Sequence, residues 1–356
     1  MIKTDPGRRV TLADVATQAG VSRSTASRAM AHDPRITEPT RQAVLAAATA
    51  LRYVPNVAAR GLRARRTRTL GLLLSDLGDP VHGQVAAGFE LEAAESGYTV
   101  LIVTGSSDAD SERRALRVFV ERSMDGICVA SGTLDPNEAR TRCGSSPLTI
   151  VQPDHERLVS KPHELPPGTI RTDDASGVEQ AITHLLACGY RDIGFLGSGV
   201  RASNRVRQAS ADRTLSQAVG RSIRAFNVKD DAWRRPSDVI GELGPVLPEA
   251  VLCYDDKLAL ALLDGLRSQG VRVPDDVAVV GFDDIPFAAL SNPRLTTVAT
   301  RTVEMGRLAA GTLINAIGSR ELPAPQLLPV ELMVRESSTP SGLAMAAATR
   351  LKEDDE

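Results

Sequence analysis

Hydrophobic and polar positions divide the chain into two stretches that differ in periodicity. Over residues 11–51, apolar residues recur at helical spacing in three short segments. Beyond residue 69, short apolar runs such as TLGLLL (69–74) and GICVA (126–130) alternate with longer segments of helical periodicity. We therefore predict three N-terminal helices followed by an α/β fold.

Capping and turn residues limit the N-terminal helices. The hydroxyl of Thr11 can cap the first helix, and Gly20 can take the positive φ of the tight turn that ends it. Ser22 is a good N-cap for a second helix over Arg23 to about Met30, and a third helix is predicted over residues 37–51. Two short helices joined by a glycine-containing turn, followed by a third, predict a helix-turn-helix unit.

The second stretch is predicted to form two Rossmann-like subdomains. Alternating strands and helices are typical of parallel sheets covered by helices, and two successive series of them are present. We interpret residues 296–299 as a crossover. A helix over about 303–318 should then return to the first subdomain, and a strand near 327–333 to the second. Ligands bind such sheets at the carboxyl ends of the strands, so we expect a pocket between the subdomains.

These patterns predict the domain limits along the chain. They are a flexible N-terminus (1–9), a helix-turn-helix domain (10–55), a hinge or linker (56–68), a ligand-binding core (69–340) and a disordered acidic tail (341–356). Within the core, the first subdomain is predicted over about 69–169 and 300–322, and the second over about 170–299 and 323–340.

Charge is divided unevenly between the two stretches. Residues 1–68 carry thirteen Lys and Arg and four Asp and Glu, a net charge of +9, whereas the remainder carries 29 basic and 40 acidic residues, a net charge of −11. This division favours a basic head that meets a polyanion and an acidic body that does not. A basic end that is merely solvated is the alternative interpretation.

Composition argues against several other classes of protein. The four cysteines and five histidines form no CxxC, HxxxH or HExxH pair, so we predict no disulfide framework, metal site or cofactor. No apolar run reaches the ~18–20 residues of a membrane span, and no apolar segment follows the first charges. We therefore expect a cytoplasmic protein.

Two segments, VTLADVATQAGVSRSTASRAM and ITEPTRQAVLAAATALRYVPN, closely resemble the DNA-binding head of the lactose-repressor (LacI/GalR) family of bacterial transcription regulators. The resemblance continues through SMDGICVA and DKLALALLDGLRSQGVRVPDDVAVVGFDDIPFAAL and covers about 10–338. It implies a periplasmic-binding-protein-like core and a homodimeric repressor that binds a near-palindromic double-stranded operator. A small-molecule effector, a sugar or related metabolite, is implied between the core subdomains.

The resemblance implies two sets of DNA contacts in the head. The second helix presents its N-terminal side chains to the major groove. The base-edge candidates are Arg23, Ser24 and Arg28, and the backbone candidates are Thr11, Ser22, Thr25 and Ser27.

The resemblance also identifies a DNA-binding hinge. Asn56 can cap a short helix, and Ala59, Arg60 and Leu62 match the family's hinge pattern. Leu62 is the candidate wedge in the minor groove; a linker leucine resting on the core is the alternative. Gly61 and the shortness of the segment predict that this helix forms only on DNA.

Six residues match or lie near effector positions of the family. They are Asp79, His82, Arg207, Trp233, Asp255 and Asp283. Asp79 could instead be a plain helix cap and Arg207 a surface arginine, and packing is the favoured interpretation for Trp233. Asp256 is expected to cap the helix after Asp255. Because the three aspartates outnumber the one arginine, the sequence favours a polyhydroxylated or cationic effector over an anionic one.

Two other functions are alternatives to a DNA-binding regulator. Acidic pairs in a cleft could support glycoside hydrolysis, but nothing else in the sequence supports it. The glycine-rich run 194–199 lacks both the GxGxxG order and a P-loop lysine, so we interpret it as a turn at a strand end. We therefore expect no enzymatic activity. A solute-binding protein for transport is disfavoured by the basic head and by the absence of a signal segment.

Overall fold

The computed structural model describes residues 10–54, 66–105, 108–130, 132–152, 164–199, 201–319 and 321–340. The chain forms two compact units, Met1–Thr67 and Arg68–Glu356.

Three helices form the described part of the first unit: α1 (Leu12–Gln18), α2 (Arg23–Met30) and α3 (Glu38–Ala50). Thr11 and Asp14 close a capping box at the start of α1, and Gly20 takes a φ of +66° in the turn that follows. The buried side chains between the helices are mostly small: Val15, Ala16, Ala26, Ala29, Val44, Ala47 and Ala48. The predicted helix-turn-helix unit is confirmed.

The second unit is built from alternating strands and helices. Its described strands are β1 (Thr69–Leu74), β2 (Thr99–Thr104), β3 (Gly126–Ala130), β4 (Leu148–Val151), β5 (Thr169–Thr172), β6 (Ile193–Ser198), β7 (Arg224–Val228), β8 (Ala250–Cys253), β9 (Ala278–Asp283), β10 (Thr296–Ala299), β11 (Gln326–Leu328) and β12 (Glu331–Met333). Its described α-helices are α4 (Pro80–Glu95), α5 (Ala109–Glu121), α6 (Pro136–Cys143), α7 (Asp174–Ala187), α8 (Ala202–Val219), α9 (Pro236–Leu243), α10 (Asp256–Ser268) and α11 (Thr302–Ser319).

The strands form two six-stranded sheets, which confirms the predicted pair of Rossmann-like subdomains. The first has the order β11-β5-β4-β3-β1-β2 and is parallel throughout. The second has the order β12-β10-β9-β8-β6-β7, with only β12 antiparallel. Because neighbouring parallel strands end at the same edge of a sheet, the loops after them converge.

Helix α11 returns to the first subdomain, as predicted. It packs on α4, where a Cβ atom on Gly88 would lie 1.9 Å from the carbonyl oxygen of Val303. A Cβ atom on Gly306 would lie 2.1 Å from that of Val85. Only glycine allows the two helix backbones to approach this closely.

The strand predicted near 327–333 is two strands in the structure, and only the second of them lies in the second sheet as predicted. Strand β11 pairs with β5 in the first sheet, and β12 pairs with β10 in the second. Pro329 lies between them and has no N–H to donate to a strand ladder. The segment interpreted as a crossover, Thr296–Ala299, is itself strand β10 in the second sheet.

Within the described residues, no helix has both the length and the apolar character that crossing a membrane requires.

Candidate functional site

Helix α2 presents three of the predicted DNA-contacting side chains to solvent. Arg23, Ser24 and Arg28 are exposed, whereas Ala26 and Ala29 on the opposite face are buried. A helix with long polar side chains on one face and alanines against its neighbours is suited to a DNA groove.

The predicted backbone-contacting residues lie at the starts of the first two helices. Ser22 caps α2 by accepting a hydrogen bond from the Thr25 backbone N–H at 3.1 Å. Its hydroxyl also lies 2.9 Å from that of Thr25. Thr11 is exposed at the start of α1, and Ser27 is half-buried. Asn56, Ala59, Arg60 and Leu62 of the predicted hinge lie outside the described residues.

A cavity of about 430 Å³ lies in the second unit, lined by residues that follow strands of both sheets. Five of the six predicted effector residues line it: Asp79, His82, Arg207, Asp255 and Asp283. They follow β1, β6, β8 and β9, so their convergence results from the shared direction of the strands.

Arg207 is the buried centre of one charged cluster in the cavity. Its Nε donates to Asp174 at 2.9 Å, one terminal nitrogen donates to the Tyr254 carbonyl at 2.5 Å, and the other lies 3.8 Å from Asp283. The guanidinium also stacks 3.7 Å from the centroid of the Phe282 ring. Burial lowers the pKa of Arg207, but the charges of Asp174 and Asp283 outweigh it and raise the pKa overall.

Asp283 combines a largely buried carboxylate with an unusual backbone. Its φ is +114°, a region that costs energy for any residue with a Cβ atom and often marks functional sites. Burial raises its pKa well above the usual value for aspartate, although the charge of Arg207 opposes that shift. This carboxyl therefore holds its proton more readily than an exposed one.

Lys257 is the centre of a second charged cluster, which joins the two subdomains. Its Nζ donates to Asp79 at 2.5 Å and lies 3.6 Å from Asp255. Asp79 precedes α4 in the first subdomain, and Lys257 lies on α10 in the second. Burial raises the pKa of Asp79, but the charge and hydrogen bond of Lys257 outweigh it and lower the pKa.

His82 is buried at the start of α4. Its Nδ1 lies 2.8 Å from the backbone oxygen of Asp76, in the loop before the helix. Burial lowers the pKa of His82, and the nearby charge of Asp79 only partly opposes this. The ring is therefore neutral at pH 7 and helps to hold this loop at the cavity.

Trp233 differs from the other effector candidates. It lies in a 3-10 turn, Ala232–Arg234, and packs against the core of the second subdomain. It is not among the described residues that line the cavity, although its ring centroid is 5.8 Å from Lys257 Nζ. This placement agrees with the packing interpretation favoured from the sequence.

Asp255 has both the cavity position expected for it and the capping role expected for Asp256. Asp255 caps α10 by accepting from the Leu258 N–H at 2.8 Å, and it also lines the cavity. Asp256 is fully buried and accepts instead from the Ile285 N–H at 2.8 Å and the Thr297 hydroxyl at 2.5 Å. The expectation that Asp256 caps the helix is wrong because its side chain turns towards the loops after β9.

Among the described lining residues, acidic side chains do not outnumber basic ones, in contrast to the three aspartates and one arginine among the predicted effector residues. The described lining residues include five aspartates but six basic side chains, among them Lys257, Arg171, Arg205 and Arg213, which sequence reasoning missed. Arg171 lies on β5, a strand that the sequence did not predict. Lys257 lies shortly after the end of β8 and in the first turn of α10, and charged residues at such positions are candidates for the lining of a cavity.

Comparison with known proteins identifies relatives over nearly the whole chain. Residues 11–56 match the family model for bacterial regulatory proteins of the lacI family, and residues 182–338 match that for a periplasmic binding protein-like domain. The HTH-type transcriptional regulator DegA of Bacillus subtilis (strain 168) is 31% identical over 342 residues, covering 93% of this chain and 99% of DegA.

Two solved structures are similar in both fold and sequence. The lac repressor dimer bound to operator and the anti-inducer ONPF has a TM-score of 0.83 and 25% identity, and the match covers 93% of this chain and 99% of that one. The transcriptional regulator CelR in complex with cellobiose has a TM-score of 0.64 and 28% identity, with 92% and 100% covered.

A helix-turn-helix head followed by a two-sheet core with a cavity at its strand ends defines a DNA-binding transcription regulator with a ligand-binding domain. The chain belongs to the lacI family of bacterial regulatory proteins, which confirms the resemblance seen in the sequence. The relatives that it matches are DNA-binding transcriptional regulators rather than enzymes.

Proposed function

We propose that this protein is a homodimeric repressor whose affinity for a near-palindromic operator is set by a small, sugar-like effector in the cavity. The full-length similarity to DegA, together with the exposed Arg23, Ser24 and Arg28 of α2, carries the proposal. The lac repressor is a dimer on its operator, and CelR binds cellobiose. We place the protein in the cytoplasm, where bacterial DNA lies.

On the DNA side, residues of the head and the linker fall into three groups with different proposed roles. Arg23, Ser24 and Arg28 read base edges, because arginine can donate two hydrogen bonds to guanine O6 and N7. The proposed phosphate contacts are Thr11, Ser22, Thr25 and Ser27. The proposed minor-groove contacts, over the linker 56–68, are Asn56, Ala59, Arg60 and Leu62.

On the effector side, we propose Arg207 and Asp283 as the central ligand contacts. Both lie at the cavity, Arg207 buried and Asp283 largely so, and a strained backbone such as that of Asp283 often marks a functional site. Asp79, His82 and Asp255 are proposed contacts at the subdomain boundary, with Trp233 behind Lys257 as a secondary candidate. Binding between the subdomains would rotate one against the other and change the separation of the two heads.

The proposed homodimer requires a self-complementary surface, and exposed apolar side chains are candidates for it. Leu290 is 79% exposed and Phe287 56% exposed in the segment after β9. Large apolar side chains exposed together are typical of an interface.

We propose that the cavity binds its ligand without catalysis. Glycoside hydrolysis needs a carboxylate pair that is available to the substrate. Asp79 and Asp255 are instead held by Lys257, and Asp174 is held by Arg207.

An effector titration on the operator complex tests the proposal. A selected operator duplex bound by the full chain is titrated with a panel of sugars, and anisotropy reports the bound fraction. We expect at least one sugar to change operator affinity in the wild type but not in Arg207→Ala. By linkage, the same ligand must bind the free protein and the DNA complex with affinities that differ by the same factor. Operator binding that no member of the panel changes contradicts effector control.

A further inference from the structure

We propose that Asp256 is a positioning residue for the effector site, because it anchors the loop after β9 that holds Asp283 at the cavity. The inference rests on the proposed function, in which Asp283 is a central effector contact. Asp256 is fully buried and is not among the described residues that line the cavity. It therefore acts on the effector only through Asp283.

The loop that carries Asp283 has a backbone that needs support. Asp283 and Asp284 are consecutive residues with φ values of +114° and +54°. Positive φ values are unfavourable for residues with a Cβ atom, and they persist only where the surrounding structure holds them. The contacts of this loop therefore decide whether the Asp283 carboxylate stays at the cavity.

Asp256 receives the hydrogen bonds of two consecutive backbone N–H groups of this loop, one directly and one through a hydroxyl. One carboxylate oxygen accepts from the Ile285 N–H at 2.8 Å. The other accepts from the Thr297 hydroxyl at 2.5 Å, and the oxygen of that hydroxyl accepts in turn from the Asp284 N–H at 3.3 Å. Asp256, Ile285 and Thr297 are all buried, so water has little access to replace a lost acceptor.

The second sheet leaves space for this carboxylate. A Cβ atom on Gly281 in β9 would lie 2.1 Å from a carboxylate oxygen of Asp256, so only glycine allows the approach. Gly281 is paired with Thr297 of β10, the residue whose hydroxyl donates to the same carboxylate. The two strands therefore fit around Asp256 just before they reach the loop.

Other contacts hold different atoms of the loop. Arg335 donates to the side chain of Asp284 at 2.7 Å, and Thr300 donates to the backbone oxygen of Asp283 at 3.3 Å. Neither of them accepts from the two N–H groups that Asp256 holds. Loss of the Asp256 carboxylate should therefore loosen the backbone at 284–285 while these contacts keep the rest of the loop in place.

Two pairs of variants separate the hydrogen bonds of the anchor from its bulk. Asp256→Ala removes both acceptors, whereas Asp256→Asn keeps one oxygen that can accept from Ile285 and an amide that can donate to Thr297. Thr297→Val removes the hydroxyl and keeps the branched shape, whereas Thr297→Ser keeps the hydroxyl. The Thr297 pair leaves Asp256 in place, so it tests the anchor even if Asp256→Ala does not fold.

Hydrogen exchange of the full chain, read by residue-resolved mass spectrometry, tests the anchor without any ligand. We expect the amides of Asp284 and Ile285 to exchange about tenfold faster in Asp256→Ala and in Thr297→Val, and within about threefold of the wild type in Asp256→Asn and Thr297→Ser. Strand β3, residues 126–130, is the reference and should keep its wild-type rates. Unchanged rates at 284–285, or equal acceleration in β3, contradict the proposal.

Calorimetric titration with glucose, galactose, ribose and cellobiose connects the anchor to the cavity. We expect a sugar that binds the wild type to bind Thr297→Val about tenfold more weakly, and Thr297→Val to cause no further loss in an Asp283→Asn background, because the anchor acts through Asp283. If a sugar binds the wild type and Thr297→Val causes no loss, or the same loss in both backgrounds, only this inference fails. If none of the sugars binds the wild type, the proposed function fails and this inference fails with it.

Discussion

Aspartates close to the cavity differ in their protonation because their immediate neighbours differ. Lys257 lowers the pKa of Asp79, although burial opposes the shift, so Asp79 is charged at neutral pH. Among the described residues, no basic side chain forms a hydrogen bond or ion pair with Asp256, and burial raises its pKa to about 7, although hydrogen bonds from Thr297 and Ile285 oppose the shift. The same residue type therefore serves as a fixed charge in one place and as a titrating group in another.

The raised pKa of Asp256 predicts a pH dependence of stability. Between about pH 4 and pH 7 the folded protein holds a proton on Asp256 that the unfolded chain has released, so the contribution of this group falls as the pH rises through that window. Over this window the free energy of unfolding should fall by on the order of 4 kcal/mol, which corresponds to a shift of about three pKa units. Asp256→Asn should remove this fall. Urea unfolding of both proteins from pH 4 to pH 8 measures it. Parallel curves for the two proteins would show that Asp256 is not the titrating group.

Arg28 provides a test of base reading by a single side chain. Because it is exposed on α2, we expect Arg28→Ala to weaken binding to the selected operator by about 1–3 kcal/mol and to relax selectivity at one base pair in each half-site. Binding to all single-base variants of the operator measures both effects. The control is Arg35→Ala. Arg35 lies between α2 and α3, where it pairs with Asp33, and its removal should leave the base preferences unchanged. If the base preferences of the Arg28→Ala protein were unaltered, Arg28 would contact the phosphate backbone rather than a base.

Three helices of the core begin at the cavity with an aspartate cap. Asp79, Asp173 and Asp255 each accept a hydrogen bond from a backbone N–H in the first turn of α4, α7 and α10 respectively. In an α/β fold, helix starts and strand ends meet at the same edge of the sheet. The aspartates of the cavity are therefore explained partly by helix capping, and their number alone does not predict the charge of the ligand.

Lys257 joins α10 of one subdomain to the start of α4 in the other, so its removal should loosen the cleft. Lys257→Met leaves Asp79 and Asp255 without their shared cation, and we expect a loss of about 2–3 kcal/mol in unfolding free energy, less than for a fully buried pair. Lys229→Met, at an exposed lysine, is the control and should cost little. Denaturant unfolding of the single variants, of Asp79→Asn and of the double variant gives the coupling. Additive losses would show that Asp79 and Lys257 do not interact.

Apolar content explains which elements the sequence predicts. The runs TLGLLL and GICVA become central, buried strands, whereas β5 (TIRT) and β7 (RAFNV) alternate with polar residues and were missed. In the cavity, Arg207 and Asp283 were found through the family resemblance. The ion pair between Lys257 and Asp79 was not predicted, because the two residues are 178 positions apart in the chain. Contacts of this kind arise from tertiary packing, which local patterns do not encode.

At the level of the assembly, the uneven charge and the exposed apolar residues imply a division of labour. The head carries the positive charge suited to DNA, and the acidic core would join two heads on one operator. We expect Leu290→Glu to produce a monomer with weaker operator binding, because a dimer holds both half-sites at once. Val246→Glu, at a residue of similar exposure, should remain dimeric. Sedimentation velocity measures the oligomeric state of both variants. If the Leu290→Glu protein remained a dimer, the interface would not include Leu290.

The most direct test is selection of binding sites from random duplex DNA. Selection is performed with the full chain and with a chain that lacks residues 1–68. We predict that the full chain enriches a near-palindromic sequence and that the shortened chain enriches none. A full chain that selects no palindrome, or a shortened chain that selects the same one, would contradict the account.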